Sequence, residues 1–260
     1  MFRVIAALLA GLLLCAQTPM LPGFPPGTFQ NRAALDAAGG GGGGTPAFNW
    51  MNYQNNTLGS NATTVNVGST LQNTTCGTIT SGDTLVAGVY RLNQTTGAVT
   101  PPAGWTQIGT DQNDGNGIVS YFYKIAGVGE TCSYTFTWGV ATFSAWVLYD
   151  FNGTNATTPV SQSITAGVNS GGGTTITTAG ITDSNAPTIL VLIVFSQATT
   201  QLLTAPADMT SRASVNQAAT NMLLLASDAQ KAGTLSSFTE QASNAQTSKA
   251  FVYLLLTLKG

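Results

Sequence analysis

The feature that most constrains this chain is a phrase that occurs twice. TPPAGWT begins at Thr100 and TAPADMT begins at Thr204, an offset of 104 residues. When residues 84–106 are set against 188–210 without a gap, seven of the 23 positions are identical, and most others pair apolar with apolar. We interpret the match as two copies of one unit, at about residues 66–152 and 170–258. Two copies are too few for a solenoid.

The sequence of each copy has the periodicity of β-strands. ETCSYTFTW (130–138) alternates, with Cys132, Tyr134, Phe136 and Trp138 on one face and hydroxyl side chains on the other, which is typical of a half-buried antiparallel strand. Residues 188–195 and 250–256 are apolar on both faces. Residues 216–233 have helical propensity, but their alignment with 112–129 predicts a strand and a turn instead.

Short strands separated by turn residues predict an all-β fold. About six strands per copy favour one antiparallel two-sheet sandwich of about twelve strands, jelly-roll-like and built from the internal duplication. The alternative is two small six-stranded β domains in tandem. The linking segment, residues 152–173, is polar and Gly-rich and is compatible with either.

The repeated phrase itself predicts a turn. Proline presets φ and glycine permits angles that other residues resist. Gly104 should therefore occupy a turn position where a side chain fits poorly. Asp208 should occupy the matching position, because Asp is among the residues that tolerate such angles.

The N-terminal segment precedes the globular part. Residues 1–19 have one Arg3 and then an apolar run, which is typical of a secretory signal peptide and too short for a membrane span. The alternative is an apolar arm that packs on a partner and is never cleaved. Residues 20–44 form a Pro/Gly-rich arm that ends in the glycine run 39–44, a flexible tether. The β-sandwich then covers residues 45–260, and any membrane contact is through an uncleaved 1–19.

The order of phrases GDTLVAGVYR, TPPAGWT, YFYKIAGVGETCSYTFTW and SAWVLYDFNGTN resembles a group of uncharacterised phage and bacterial proteins. These look like virion-surface, tail-associated or secreted β-sandwich proteins. The stretch from Asn31 to Gly40, NRAALDAAGG, resembles the leading arm of such phage proteins. The resemblance implies β structure and placement on a particle or cell surface. It carries no catalytic residue to this chain.

Composition excludes several kinds of chemistry. Only 7% of the residues are charged, the net charge is −2, and there is no histidine. Eight scattered basic residues do not predict nucleic-acid binding, which needs clustered charge. Without histidine there is no Ser–His–Asp device and no imidazole ligand, and the sequence predicts no metal or cofactor. Glu130 and Glu240 lie at non-equivalent points of the two copies, so they do not predict a glycosidase pair.

Two pairs of residues are candidates for special roles. Cys76 and Cys132 would pair in a disulfide if the protein is exported, or would remain separate thiols. Trp105 and Trp146 would stack on a ligand such as a sugar ring, or would fill the core.

We expect a non-enzymatic structural or adhesive surface protein of a phage particle, a virion, tail or decoration component. The alternative is a secreted glycan-binding β-sandwich module. The expected location is extracellular or on the virion surface. Expected partners are other virion proteins, surface glycans, or further copies of the chain in a homo-oligomer or lattice. Self-association would cover the second apolar face of strands 188–195 and 250–256, unless loops such as 152–173 fold back over them.

Overall fold

The computed structural model describes residues 44–54, 62–68, 76–94, 96–168, 175–197, 202–217, 222–244 and 250–260. The predicted signal or arm and most of the glycine tether lie outside the described residues. Every regular element in the described part is a β-strand, and every pairing between strands is antiparallel. The all-β prediction is therefore confirmed.

The first half of the chain contributes seven strands. They are β1 (Ala47–Gln54), β2 (Ala62–Val67), β3 (Thr84–Leu92), β4 (Thr106–Asn113), β5 (Gly117–Ile125), β6 (Tyr134–Thr142) and β7 (Ser144–Asn152). Five of them form one sheet in the order β1-β7-β3-β5-β4, and β2 pairs with β6 in a smaller one. An isolated bridge between Thr100 and Thr137 adds to the edge of β6.

The second half contributes ten strands, several of them short. They are β8 (Val160–Val168), β9 (Thr175–Thr177), β10 (Ile181–Asp183), β11 (Thr188–Gln197), β12 (Leu203–Thr204), β13 (Thr210–Gln217), β14 (Met222–Lys231), β15 (Leu235–Phe238), β16 (Gln241–Asn244) and β17 (Phe251–Lys259). The large sheet has the order β8-β17-β11-β14-β13. Smaller sheets join β9, β16 and β12, and β10 with β15.

The two halves share one strand order but no sheet. In each large sheet, the first strand of that half (β1 or β8) pairs with its last strand (β7 or β17). The last strand pairs in turn with β3 or β11, and a hairpin (β4–β5 or β13–β14) completes the sheet. The described chain therefore has seventeen strands rather than about twelve, and strands of the two halves do not interleave in a common sheet. Neither is it a pair of independent domains, because the halves pack together through a common core.

That common core lies between the two large sheets. One face of β3, β5 and β7 packs against one face of β11, β14 and β17. The rings of Tyr90 and Phe195 stack at its centre, with centroids 5.7 Å apart. Gly88 leaves room there, because a Cβ at this position would lie 3.0 Å from Phe195.

The outer face of each large sheet is also covered. In the first half, β2 and β6 cover it around an aromatic cluster that includes Phe122, Phe136 and Trp146. In the second half, the small sheets cover an aliphatic cluster that includes Leu192, Leu225 and Leu255. Strands such as β11 are apolar on both faces because each face lies against a different layer.

This double coverage removes the reason for expecting self-association from strands 188–195 and 250–256. Ile193 and Leu254 face the common core and are fully buried within one chain. No second subunit is needed to cover these strands. Among the described residues, the large apolar side chains that remain exposed are Val128, Val140 and Leu202.

The gapless alignment of the repeated segments is wrong by one residue within the strands. Val86 and Tyr90 face the common core, whereas the residues 104 positions later, Leu190 and Val194, face the outer cluster of the second half. Shifting the alignment by one residue to pair Tyr90 with Phe195 puts both on the common core. A one-residue slip moves every side chain of a strand to the opposite face.

The strand prediction for residues 216–233 is confirmed, because β14 occupies most of that segment. The predicted alternation of β6 is confirmed too: Tyr134, Phe136 and Trp138 are buried, while Thr135 is exposed. The residues in between carry hydroxyl groups, which suit the solvent side of a covering sheet.

The corresponding strands β3 and β11 begin at the same end of the molecule, so its two ends differ. We call the end at which β3 and β11 begin the proximal end, and the opposite one the distal end. At the proximal end, the amide of Asn155 donates to the carbonyl of Lys259 at 2.8 Å, and the Gln230 side chain donates to Pro46 at 3.0 Å. Gly44 and Gly260 lie side by side there.

Candidate functional site

The two cysteines of the first half form a disulfide. Cys76 and Cys132 are bonded through sulfur, with their Cα atoms 6.2 Å apart. The bridge ties the segment before β3 to the segment before β6, next to Gly68 at the end of β2. It thereby links the segment that leads into the large sheet to the covering sheet of the first half.

The two tryptophans considered for ligand stacking are both in the core, which corrects that hypothesis. Trp146 is fully buried, and its indole N–H donates to the side chain of Gln54 at 2.9 Å. Trp105 is 8% exposed and meets Tyr134 and Phe136 edge to face, with ring centroids 5.0 and 5.4 Å away. Neither ring offers a face to a sugar, so the glycan-binding alternative loses the residues on which it rested.

The turn of the repeated phrase is built alike in both halves. The amide of Trp105 donates to Pro102, and that of Met209 donates to Pro206. Gly104 has a φ of 86°, as predicted. Asp208 lies in the matching turn, but it is not among the described non-glycine residues with positive φ. The second turn therefore avoids the left-handed angle instead of tolerating it.

Each of these turns lies against a lysine from the neighbouring hairpin. In the first half, the Lys124 ammonium lies 5.4 Å from the centre of the Tyr134 ring and pairs with Glu130 at 2.6 Å. A Cβ on Gly104 would lie 3.4 Å from Lys124 Cε. Burial would raise the pKa of Glu130, but the hydrogen bonds from Lys124 and the Gly127 amide, together with the charge of Lys124, outweigh burial and hold that pKa below its usual value.

The lysine of the second half meets two carboxyl groups instead of one. Lys231 Nζ lies 2.5 Å from Asp208 Oδ2, 3.9 Å from Glu240 Oε1 and 4.5 Å from the centre of the Phe238 ring. Glu240 is 2% exposed, and its Oε1 accepts no hydrogen bond. We call Lys231, Asp208 and Glu240 the lysine–carboxyl cluster.

Electrostatics separate the two carboxyl groups of this cluster. Burial, and then the charge of Asp208, raise the pKa of Glu240 to about 7. The hydrogen bond from Lys231 lowers the pKa of Asp208. At neutral pH Asp208 is therefore ionised, while Glu240 carries a proton about half of the time. Two neighbouring carboxyl groups with separated pKa values can exchange a proton.

A second pair of buried carboxyl groups lies at the proximal end of the first half. Asp150 is fully buried and accepts a hydrogen bond from Asn49 at 2.7 Å. Burial, and then the charge of Asp83, raise the pKa of Asp150 to about 7. At the same register position of the second half stands Thr257, whose hydroxyl donates to Asp183 at 2.6 Å.

The structure does not bring Glu130 and Glu240 together; each lies beside the lysine of its own half. Sequence reasoning missed the lysine–carboxyl cluster, because its members come from three separate segments with no characteristic spacing. The matched proline turns were the one available signal, since they place Gly104 and Asp208 at the same point of the two halves.

Within the described ranges, no three potential ligands among His, Cys, Asp and Glu come close enough to hold a metal ion. The same residues include no helix that is long and apolar enough to span a bilayer. Comparison with known proteins finds no matching family model, no matching curated protein and no matching solved structure.

Proposed function

We propose that this chain is a non-enzymatic structural or adhesive surface protein, a virion, tail or decoration component of a phage particle. The proposal assigns no reaction on a substrate to it. Attachment would be at the proximal end, and the distal end would face outward. The observation that carries this assignment is the position of Gly44 beside Gly260, because the N-terminal arm then leaves from the proximal end of the packed sheets.

The distribution of charge supports this orientation. At the distal strand ends and turns, the charged side chains among the described residues include Arg91 and Asp114, which are buried, and Asp111, which is half-buried. The ion pairs of the two lysines are at the proximal end. The outward surface would thus be neutral and rich in hydroxyl and amide groups, which suits the exterior of a particle.

The disulfide supports an extracellular location. Structural disulfides persist in oxidising surroundings, including virion and cell surfaces, and are rare in cytosolic proteins. Cys76 and Cys132 form such a bond, between the segment before β3 and the segment before β6. A protein exported through residues 1–19 would form this bond after it leaves the cytosol.

We also propose that the halves are copies of one duplicated unit, each a jelly-roll-like sandwich. Pairing is nested in both: the first strand pairs with the last, the second pairs with the next to last, and β3 or β11 pairs with one strand of a later hairpin. Jelly rolls are common in viral capsid and lectin domains. A fold alone does not fix a function, so the nested pairing supports the surface assignment only together with the charge distribution and the disulfide.

The test is whether the chain travels with particles. Particles from the strain that encodes the chain are purified on a density gradient, and each fraction is probed with an antibody against residues 45–260. We expect the full chain to sediment with the particles. A version that begins at Thr45 should form the same disulfide but stay at the top of the gradient.

Recovery of the full chain only in particle-free medium would contradict the proposal. In that case a titration of tryptophan fluorescence with mixed glycans separates a secreted binding module from an inert secreted protein. Light scattering on the version that begins at Thr45 tests whether the chain associates with further copies of itself. If this version is a monomer, any self-association of the full chain depends on the N-terminal arm.

A further inference from the structure

We propose that Lys231 and Asp208 become joined by an intramolecular amide bond, with Glu240 as the group that transfers protons between them. The proposal concerns a covalent modification within the chain and does not depend on the function proposed above. It starts from the three members of the lysine–carboxyl cluster, which belong to three different segments of the second half.

The first argument is the position of the reacting atoms. Lys231 Nζ lies 2.5 Å from Asp208 Oδ2, so the carboxyl carbon is one bond further on. Intramolecular groups held in a near-attack geometry react at effective concentrations that reach about 10⁵ M or more. Lys231 is held in place by the end of β14 and by the ring of Phe238, 4.5 Å from Nζ.

The second argument is the otherwise unexplained burial of Glu240. Its side chain is 2% exposed, and the carboxyl group shares a hydrogen bond with Asp208, but its Oε1 accepts none and lies 3.9 Å from Lys231 Nζ. A buried carboxyl oxygen without a partner is costly and needs a reason. Proton transfer provides one, and a pKa raised to about 7 suits a group that must both give and accept a proton at neutral pH.

The reaction balances without another reagent. Glu240 protonates the carboxylate of Asp208, and the ammonium of Lys231 gives a proton to the resulting Glu240 carboxylate. The neutral amine then attacks the carboxyl carbon of Asp208 and forms the C–N bond. Glu240 carries a proton from nitrogen to the leaving hydroxyl, the C–O bond breaks, and one water molecule departs. Glu240 ends as it began.

The first half lacks this arrangement and supplies an internal control. Its Lys124 also lies over an aromatic ring and against the equivalent turn, but the position of Asp208 is occupied by Gly104. Lys124 pairs with Glu130 instead, in the β5–β6 connection. Among the described residues, Glu130 is the one carboxyl group that forms an ion pair with Lys124, so the bond belongs to the second half only.

The experiment is mass spectrometry of the full chain after reduction of its disulfide. We expect a mass lower than the sequence mass, after any N-terminal processing, by one water molecule. Trypsin should then yield a branched species in which residues 125–212 are linked to residues 213–249, with no cleavage after Lys231. Cleavage after Lys124 should proceed normally.

Variants separate the chemistry from folding. Glu240→Gln, Asp208→Ala and Lys231→Arg should each restore the full mass and, where Lys or Arg is free, cleavage after residue 231. Asp208→Asn should lose one ammonia instead of one water, because the amide nitrogen becomes the leaving group. A wild-type chain that keeps its full mass after prolonged incubation at pH 7, and is cut completely after Lys231, would overturn the proposal without reference to any variant.

Discussion

The large sheets of the two halves have the same strand order, but the residues that fill their outer cores differ. The first half fills its outer core with aromatic rings and fastens its covering sheet with a disulfide. The second half fills the equivalent space with Leu, Ile and Val under shorter covering strands and has no disulfide. A shared topology therefore does not require a shared core. What both halves must supply is an apolar face for the core between them.

The largest expected effect concerns that common core. Phe195→Ala should lower the free energy of unfolding by about 3–5 kcal/mol, because it removes a buried ring and leaves a cavity beside Tyr90 and Gly88. Urea denaturation followed by circular dichroism measures the loss. Because both halves line this core, we expect a single transition to move to lower urea.

Phe136→Ala is the matched control, because it removes a fully buried ring from the outer core of the first half only. If the halves were energetically separate, Phe195→Ala would split the transition into two steps, and tryptophan fluorescence, which reports on the first half, would no longer coincide with circular dichroism. Such a split would break the comparison that treats the halves as one cooperative unit.

The next effect concerns the disulfide, which only the first half contains. Cys76 and Cys132 are 56 residues apart in sequence. Closing a loop of this size stabilises the folded state by at most about 4 kcal/mol in the chain-entropy model. We therefore expect Cys76→Ala/Cys132→Ala to unfold at lower urea than the oxidised wild type.

The wild type under reducing conditions is the control for the double variant. It should unfold close to the double variant, since both lack the bridge. If reduction left the urea midpoint unchanged, the disulfide would not stabilise the fold. The aromatic core would then be enough to hold the covering sheet of the first half in place.

The third effect concerns the buried position that is Asp150 in one half and Thr257 in the other. The pKa of Asp150 is raised from 3.8 to about 7 by burial and by the charge of Asp83. A carboxyl group whose folded pKa exceeds its unfolded pKa favours the folded state at low pH, and this contribution is lost as pH rises from about 4 to about 7. Asp150→Thr should thus stabilise the protein by about 2 kcal/mol at pH 8 and little at pH 4.

Asp183→Asn tests the opposite sign. Burial would raise the pKa of Asp183, but hydrogen bonds from Thr257 and Asn185 outweigh it and lower that pKa. Its contribution is present at neutral pH and is lost as the group becomes protonated in acid. Asp183→Asn should therefore destabilise at pH 8. If both variants shifted the urea midpoint in the same direction at pH 8, the two positions would not differ in the way their surroundings indicate.

Some of this architecture could be predicted from the sequence. The alternation of β6 identified its buried face, and the proline turns identified two equivalent points of the chain. The sequence did not show which residues of β3 and β11 face the common core. Both strands are buried on both sides, so apolar and polar residues do not alternate along them. The shared Thr84/Thr188 favoured an alignment that is one residue out of step.

The candidate site was less predictable than the fold. The position of Trp146 could not be decided from the sequence. In a sandwich of only two sheets, one face of each strand lies in the core and the other in solvent, and Trp146 is on the face opposite Ala145. Here covering sheets add further layers, and the ring lies between them. The lysine–carboxyl cluster depends on contacts between segments that are distant in sequence, such as Asp208 and Lys231, and these contacts follow from topology rather than from any local pattern.

The smallest effect concerns the turn from which the repeat was recognised. Gly104 has a φ of 86°, and a left-handed angle costs a residue with a side chain about 1–2 kcal/mol. Gly104→Ala should therefore lower the free energy of unfolding by about 1 kcal/mol, and Gly104→Asn by less, because Asn tolerates this region. Asp208, at the equivalent place, has no such angle. Urea denaturation of the two variants measures the cost of the angle in the first turn. Equal costs for Ala and Asn at residue 104 would mean that the left-handed angle does not set the cost, and the glycine would then not be what distinguishes the two turns.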